Sequence, residues 1–173
     1  MIASGLLVAL VIASPSEPVR GVLVDRVVAL VAGAPIFLSE LREEAVLARA
    51  IGEPPCAKEV TPTGGCWSTL LEAVITQRLI DEEARRLQIA LGPVPPAAAA
   101  LKRIVVALGG ADALRSFQNR FSREEKELVD WLRRSLRAAK MKAEQGGRVK
   151  RWLRDLSARI PVSRLVDLAK DPP

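Results

Sequence analysis

The stretch from Val24 to Ala45, VDRVVALVAGAPIFLSELREEA, limits the possible folds more than any other part of the chain. Val27, Val28, Leu30 and Val31 form an apolar, largely β-branched run, Gly33-Ala34-Pro35 breaks it, and Ile36-Phe37-Leu38 resumes it. Two short apolar runs on either side of a Gly/Pro break read as a β-hairpin. Ser39 is placed to cap a helix that begins at Glu40, because its hydroxyl can accept from the unpaired N–H groups of the first turn. A strand, a turn, a second strand and a capped helix therefore follow one another with no linker between them.

The rest of the chain reads as helix. With 173 residues there is enough chain for one domain with a buried core. Aromatic residues are 3% of the total and Tyr is absent, so the core has to be built from Leu, Val, Ile and Ala. A helix is expected over 39–51, with Leu41, Ala45, Ala48 and Ile51 on one face. A second is expected from Thr69 to about Ile89, with Glu72 completing a capping box. Its apolar residues form two stripes, which is the pattern of a helix packed on both sides. Shorter helices follow over 97–108 and 111–120, separated by Gly109-Gly110. A long helix is expected from Ser122, with Glu125 as its capping-box partner, to about Gln145, burying Leu128, Leu132, Leu136, Ala139 and Ala143. A last helix spans 148–158, and Ile160-Pro161-Val162 opens a segment that reads as a short strand.

The two ends and the cysteines bear on where such a chain works. Residues 1–13, MIASGLLVALVIA, are apolar and uncharged, and too short to span a bilayer as a helix. They fit the apolar region of an export signal, with a buried strand or helix as the alternative. Cys56 and Cys66 bracket the Pro/Gly-rich loop EPPCAKEVTPTGGCW. In an oxidising compartment they are a disulfide candidate, closing a ring worth about 3 kcal/mol on the chain-entropy model; in a reducing one they are two free thiols. The absence of His removes His-based acid–base catalysis and His metal ligands, and two cysteines alone cannot make a four-ligand zinc site. With no nucleophile–base pair, phosphate loop or metal cluster in the sequence, no enzyme activity and no cofactor are expected.

The order of segments resembles the N-terminal region of the SurA-like periplasmic chaperones. Their mature chain opens on a hairpin of the form VDRVVAVV-turn-PITLSEL. Here LEAVITQRLIDEEARRLQI (Leu71 to Ile89) resembles the family's second helix, and GGADALRSF (Gly109 to Phe117) its next helix junction. SREEKELVDWLRRSLRAAK (Ser122 to Lys140) resembles the helix leading to its isomerase domain, and WLRDLSARIPVSRLV (Trp152 to Val166) its closing helix and strand. The resemblance implies a mainly α chaperone core with a small N-terminal β-hairpin that a C-terminal strand can join. It implies residues 1–13 as signal peptide, 20–145 as the helical domain, and 148–168 as a closing helix and strand packed back on it. In the family a parvulin-type isomerase domain interrupts the chain before the closing segment. Only Glu144-Gln145-Gly146-Gly147 stands at that joint here, and parvulin sites use His, so isomerase activity does not carry over. Ala32 stands where the family's turn has Asn, and Pro95-Pro96-Ala97-Ala98 where it has an acidic cap.

What the resemblance implies is an exported, ATP-independent holdase. Its partners would be unfolded, extended or outer-membrane polypeptides in a Gram-negative-type periplasm, with no stable membrane span in the mature chain. Phe117, Phe121 and Trp131 lie near one junction and read either as core or as the lining of a client groove. Trp67 and Trp152 read as packing residues. Asp81-Glu82-Glu83 reads as a solvated face, since neighbours on a helix point in different directions. Between Arg133 and Arg154 there are nine basic residues and one acid, Glu144, on a chain of formal charge +6. That run reads as a solvated face, as an attraction for acidic clients or the anionic envelope, or as a nucleic-acid surface. The last lacks any recognition motif and conflicts with export. A dedicated interaction module for one envelope protein is a further alternative.

Overall fold

β1 (Val27–Val31) and β2 (Ala34–Phe37) form the expected hairpin. The computed structural model describes residues 25–50, 64–91, 94–168 and 170; residues 1–13, read above as an export signal, and Cys56 lie outside them. The turn is two residues long, Ala32-Gly33, and both have positive φ, 51° and 80°. This backbone matches the right-handed twist of the strands, and glycine adopts it without a steric penalty. The register shifts between Val27 and Ala29. Because of that bulge the neighbours Val28 and Ala29 are both fully buried, where a regular strand would expose one of them.

Six helices follow among the described residues: α1 (Leu38–Ala50), α2 (Gly64–Arg86), α3 (Val94–Leu108), α4 (Ala111–Phe121), α5 (Glu125–Gln145) and α6 (Val149–Arg159). The protein is mainly α with one small sheet, as expected. β3 (Val162–Arg164) completes that sheet by pairing antiparallel with β1, giving the order β2-β1-β3. Val31, Leu30 and Ala29 face Val162, Ser163 and Arg164. Two further backbone bonds extend the pairing at its ends, Ala32 N–H to the Pro161 carbonyl and Leu165 N–H to that of Val28, both 2.9 Å. Arg164 adds a two-pronged ion pair to Glu72 of α2 at 2.6 and 2.7 Å.

Several helix starts differ from the sequence reading. α1 begins at Leu38, and its cap comes from fourteen residues upstream: the Asp25 carboxylate accepts from the Ser39 hydroxyl and from the Ser39 N–H. Burial works against the Asp25 carboxylate, yet these bonds and the Arg26 N–H hold its pKa below the ordinary value. α2 begins five residues earlier than expected, so Thr69 lies inside it and donates to the Gly65 carbonyl. Ser122 is not the start of α5. It is the left-handed C-cap of α4, and Glu124 N–H donates to the Glu127 carboxylate at the true start. Gly146, with φ of 51°, ends α5 at Gln145, and residues 146–148 form a 3-10 turn that leads into α6.

The core has two parts. One gathers the sheet, the start of α1, α2, the end of α5 and Leu156 of α6. The other gathers Leu47 of α1 with α3, α4 and the start of α5. α2 buries Leu71, Val74, Ile75 and Leu79 on one side and Ile80 and Ala84 on the other, as a central helix does; Leu87, expected in the second stripe, lies past its end at Arg86 and is exposed.

Candidate functional site

Between the two parts of the core, α1, α2, α3 and α5 leave a cleft of about 750 Å³, within the usual size range of ligand sites. Val74, Ala100, Ile104, Leu132 and Ala138 give it an apolar floor. Small residues make the space: Ala48, Ala73, Ala107 and Ala139 also line it, and a larger side chain at any of them would fill it. Leu136 was expected in the core. It is 39% exposed because it faces this opening, while Ala138 and Met141 take the inward positions on α5. Ala139 and Ala143, also expected inside, are exposed.

Polar contacts hold α5 against α1 and α2 around the cleft. The Trp131 indole N–H donates to Glu44 at 3.1 Å, and the Gln77 amide donates to the Arg134 carbonyl at 3.3 Å. Arg78 bonds Glu40 at 2.6 Å. Asp81 accepts from Arg137 at 2.6 Å, with Arg134 at 3.8 Å. The Arg137 side chain is 9% exposed and its Nε is buried with no hydrogen-bond partner, which leaves part of the desolvation cost of that ion pair uncompensated. Two cations that line the cleft, Arg103 and Lys142, carry no ion pair among the described residues.

Asp81 and Glu83 therefore do not form a solvated face. Both are buried, Asp81 against α5 and Glu83 between Arg86, at 2.8 Å, and Arg159 of α6, at 3.3 Å. The bonds from Arg86 hold the Glu83 carboxyl below its ordinary pKa against the effect of burial, with Arg159 assisting. The basic run over 133–154 is not one free face either, since Arg133 pairs with Asp130 and Arg137 with Asp81.

Of the three aromatic candidates, only Trp131 lines the cleft. Phe117 is buried in the second part of the core, with Phe121 packed on it at 4.9 Å between ring centroids and Arg120 over the Phe121 ring. Trp67 is buried and Trp152 packs against the first part of the core. Cys66 is buried and disulfide-bonded; the other cysteine of the proposed pair, Cys56, is outside the described residues. Among the described residues no group of three Cys, Asp or Glu is placed to hold a metal ion, and no helix is long and apolar enough to cross a membrane. No protein-family model, curated protein or solved structure matches the chain. The cleft itself was missed in the sequence. The alanines that line it, such as Ala100, Ala107 and Ala139, give no sequence signal that separates an opening from close packing.

Proposed function

We propose that this protein is an exported, ATP-independent polypeptide-binding protein, a holdase for unfolded or outer-membrane chains in the periplasm, without prolyl isomerase activity. The observation that carries the reading is the cleft, whose apolar floor and polar rim suit an extended segment with alternating apolar and polar side chains. The apolar N-terminal residues and a motif order that resembles that of SurA-like chaperones support it from the sequence side. Binding at such a site is weak and exchangeable, because ordering an unfolded client takes up much of the interaction energy.

The test is suppression of aggregation when an unfolded outer-membrane protein is diluted from denaturant. The full chain is expected to suppress it at a few-fold molar excess; no suppression there rejects the holdase reading. Ala139→Trp fills the cleft from an exposed position. Suppression should fall at least about fivefold, while the melting temperature stays within about 2 °C, as exposed substitutions ordinarily allow. A single stoichiometric partner in a pull-down, in place of a spectrum of clients, would replace the holdase by a dedicated interaction module.

A further inference from the structure

The charges around the cleft are unevenly engaged. Four cations line it, Arg78, Arg103, Arg134 and Lys142, with three carboxylates, Glu40, Glu44 and Asp81. All three carboxylates have partners: Glu40 holds Arg78, Glu44 accepts from Trp131, and Asp81 holds Arg137. Of the cations, Arg78 is committed and Arg134 lies 3.8 Å from Asp81. Arg103, exposed on α3, and Lys142, half-buried on α5, have no ion pair among the described residues. A cationic segment entering the cleft meets no free carboxylate, whereas an anionic one meets two free cations beside an apolar floor.

We propose that the cleft selects extended segments in which an aspartate or glutamate stands among small or apolar residues, with Arg103 and Lys142 receiving the carboxylate. This rests on the polypeptide-binding reading above and names its substrate class. The apolar floor takes the neighbouring side chains, and partial exclusion of water strengthens the attraction relative to a fully exposed pair. The net charge of +6 draws acidic segments toward the site before contact. A nucleic-acid duplex presents no apolar side chains to the floor of the cleft.

The experiment uses the full chain and three labelled octapeptides of alternating valine and serine. One is unchanged, one has two serines replaced by glutamate, and one has them replaced by lysine. Fluorescence anisotropy reads their affinities. The glutamate peptide is expected to bind about three- to tenfold more tightly than the neutral one, and the lysine peptide more weakly. High salt should remove the difference. In the R103A/K142A double variant, checked for helix content by circular dichroism, the glutamate peptide should fall to the affinity of the neutral one. Equal binding of all three peptides overturns the inference and leaves the polypeptide-binding reading standing; so does a glutamate preference that survives in the double variant. Displacement of the glutamate peptide by anionic vesicles or by a DNA duplex at lower concentration than unlabelled peptide overturns the proposed occupant. Failure to bind any of the peptides rejects both readings together.

Discussion

Glu43 projects from α1 into a buried position where Arg123, in the turn between α4 and α5, meets it at 2.9 Å. Burial raises the Glu43 carboxyl above its ordinary value of 4.5, outweighing the attraction and hydrogen bonds of Arg123, which lower it. On the other side of the pair, burial works against the Arg123 cation, but Glu43 more than restores it. The pair is attractive, then, and burial costs both partners, but only at the carboxylate does it outweigh the attraction. A carboxyl whose folded pKa is raised binds its proton more tightly in the native state. Native stability therefore rises as pH falls from the folded value toward 4.5, and the contribution levels off below that. Wild type should gain stability relative to Glu43→Gln as pH is lowered from 7 to about 4.5, measured by urea unfolding; a difference independent of pH would refute it. Glu83 has the opposite sign. Its depressed pKa contributes stability above 4.5 that is lost as pH falls through the lower folded value. Neither environment was visible in the sequence. The spacing of Asp81, Glu82 and Glu83 states the directions in which they point, but whether those directions meet water or an arginine from α5 or α6 is settled only by packing.

At the scale of elements, the hairpin, the order of helices and the two-sided burial of α2 were legible because hydrophobic period and Gly/Pro breaks are local signals. Caps were less so. Asp25 caps α1 from across the hairpin, and Ser122 ends a helix where a capping-box pattern placed a beginning. The cleft was illegible for a related reason: an alanine stripe reads the same whether its helix is packed tightly or faces an opening. The hairpin turn offers a direct test of local chemistry. Ala32 holds φ of 51°, a left-handed conformation that disfavours most L-residues by about 1–2 kcal/mol and that Asn tolerates. Its backbone N–H is already engaged by Pro161, a bond that a new side chain does not disturb. Ala32→Asn should stabilise the protein by about 0.5–1 kcal/mol and raise its melting temperature by about 1–4 °C. Ala32→Val, β-branched, should lower it.

Across the whole molecule the N-terminal and C-terminal segments hold each other. β1 is the central strand, and it is completed only when β3 arrives from beyond α6. α6 in turn is anchored by Leu156, which is fully buried in the same part of the core as Val28 and Ile36. The hairpin alone has four- and five-residue strands and is too small for independent stability. Leu156→Ala should cost about 2–5 kcal/mol by leaving a cavity where the sheet, α2 and α6 converge. If the ends form one cooperative unit, amide hydrogen exchange at Val28 to Val31 should accelerate together with exchange in α6. Amides of α3 and α4, which belong to the other part of the core, should be affected less. A hairpin that keeps its protection while α6 opens would show that the sheet does not depend on the closing segment. The same variant links stability to the cleft, because α2 supplies one wall through Val74 and Gln77 and draws its support from the first part of the core. Loosening that support should weaken peptide binding before the other part of the core is lost.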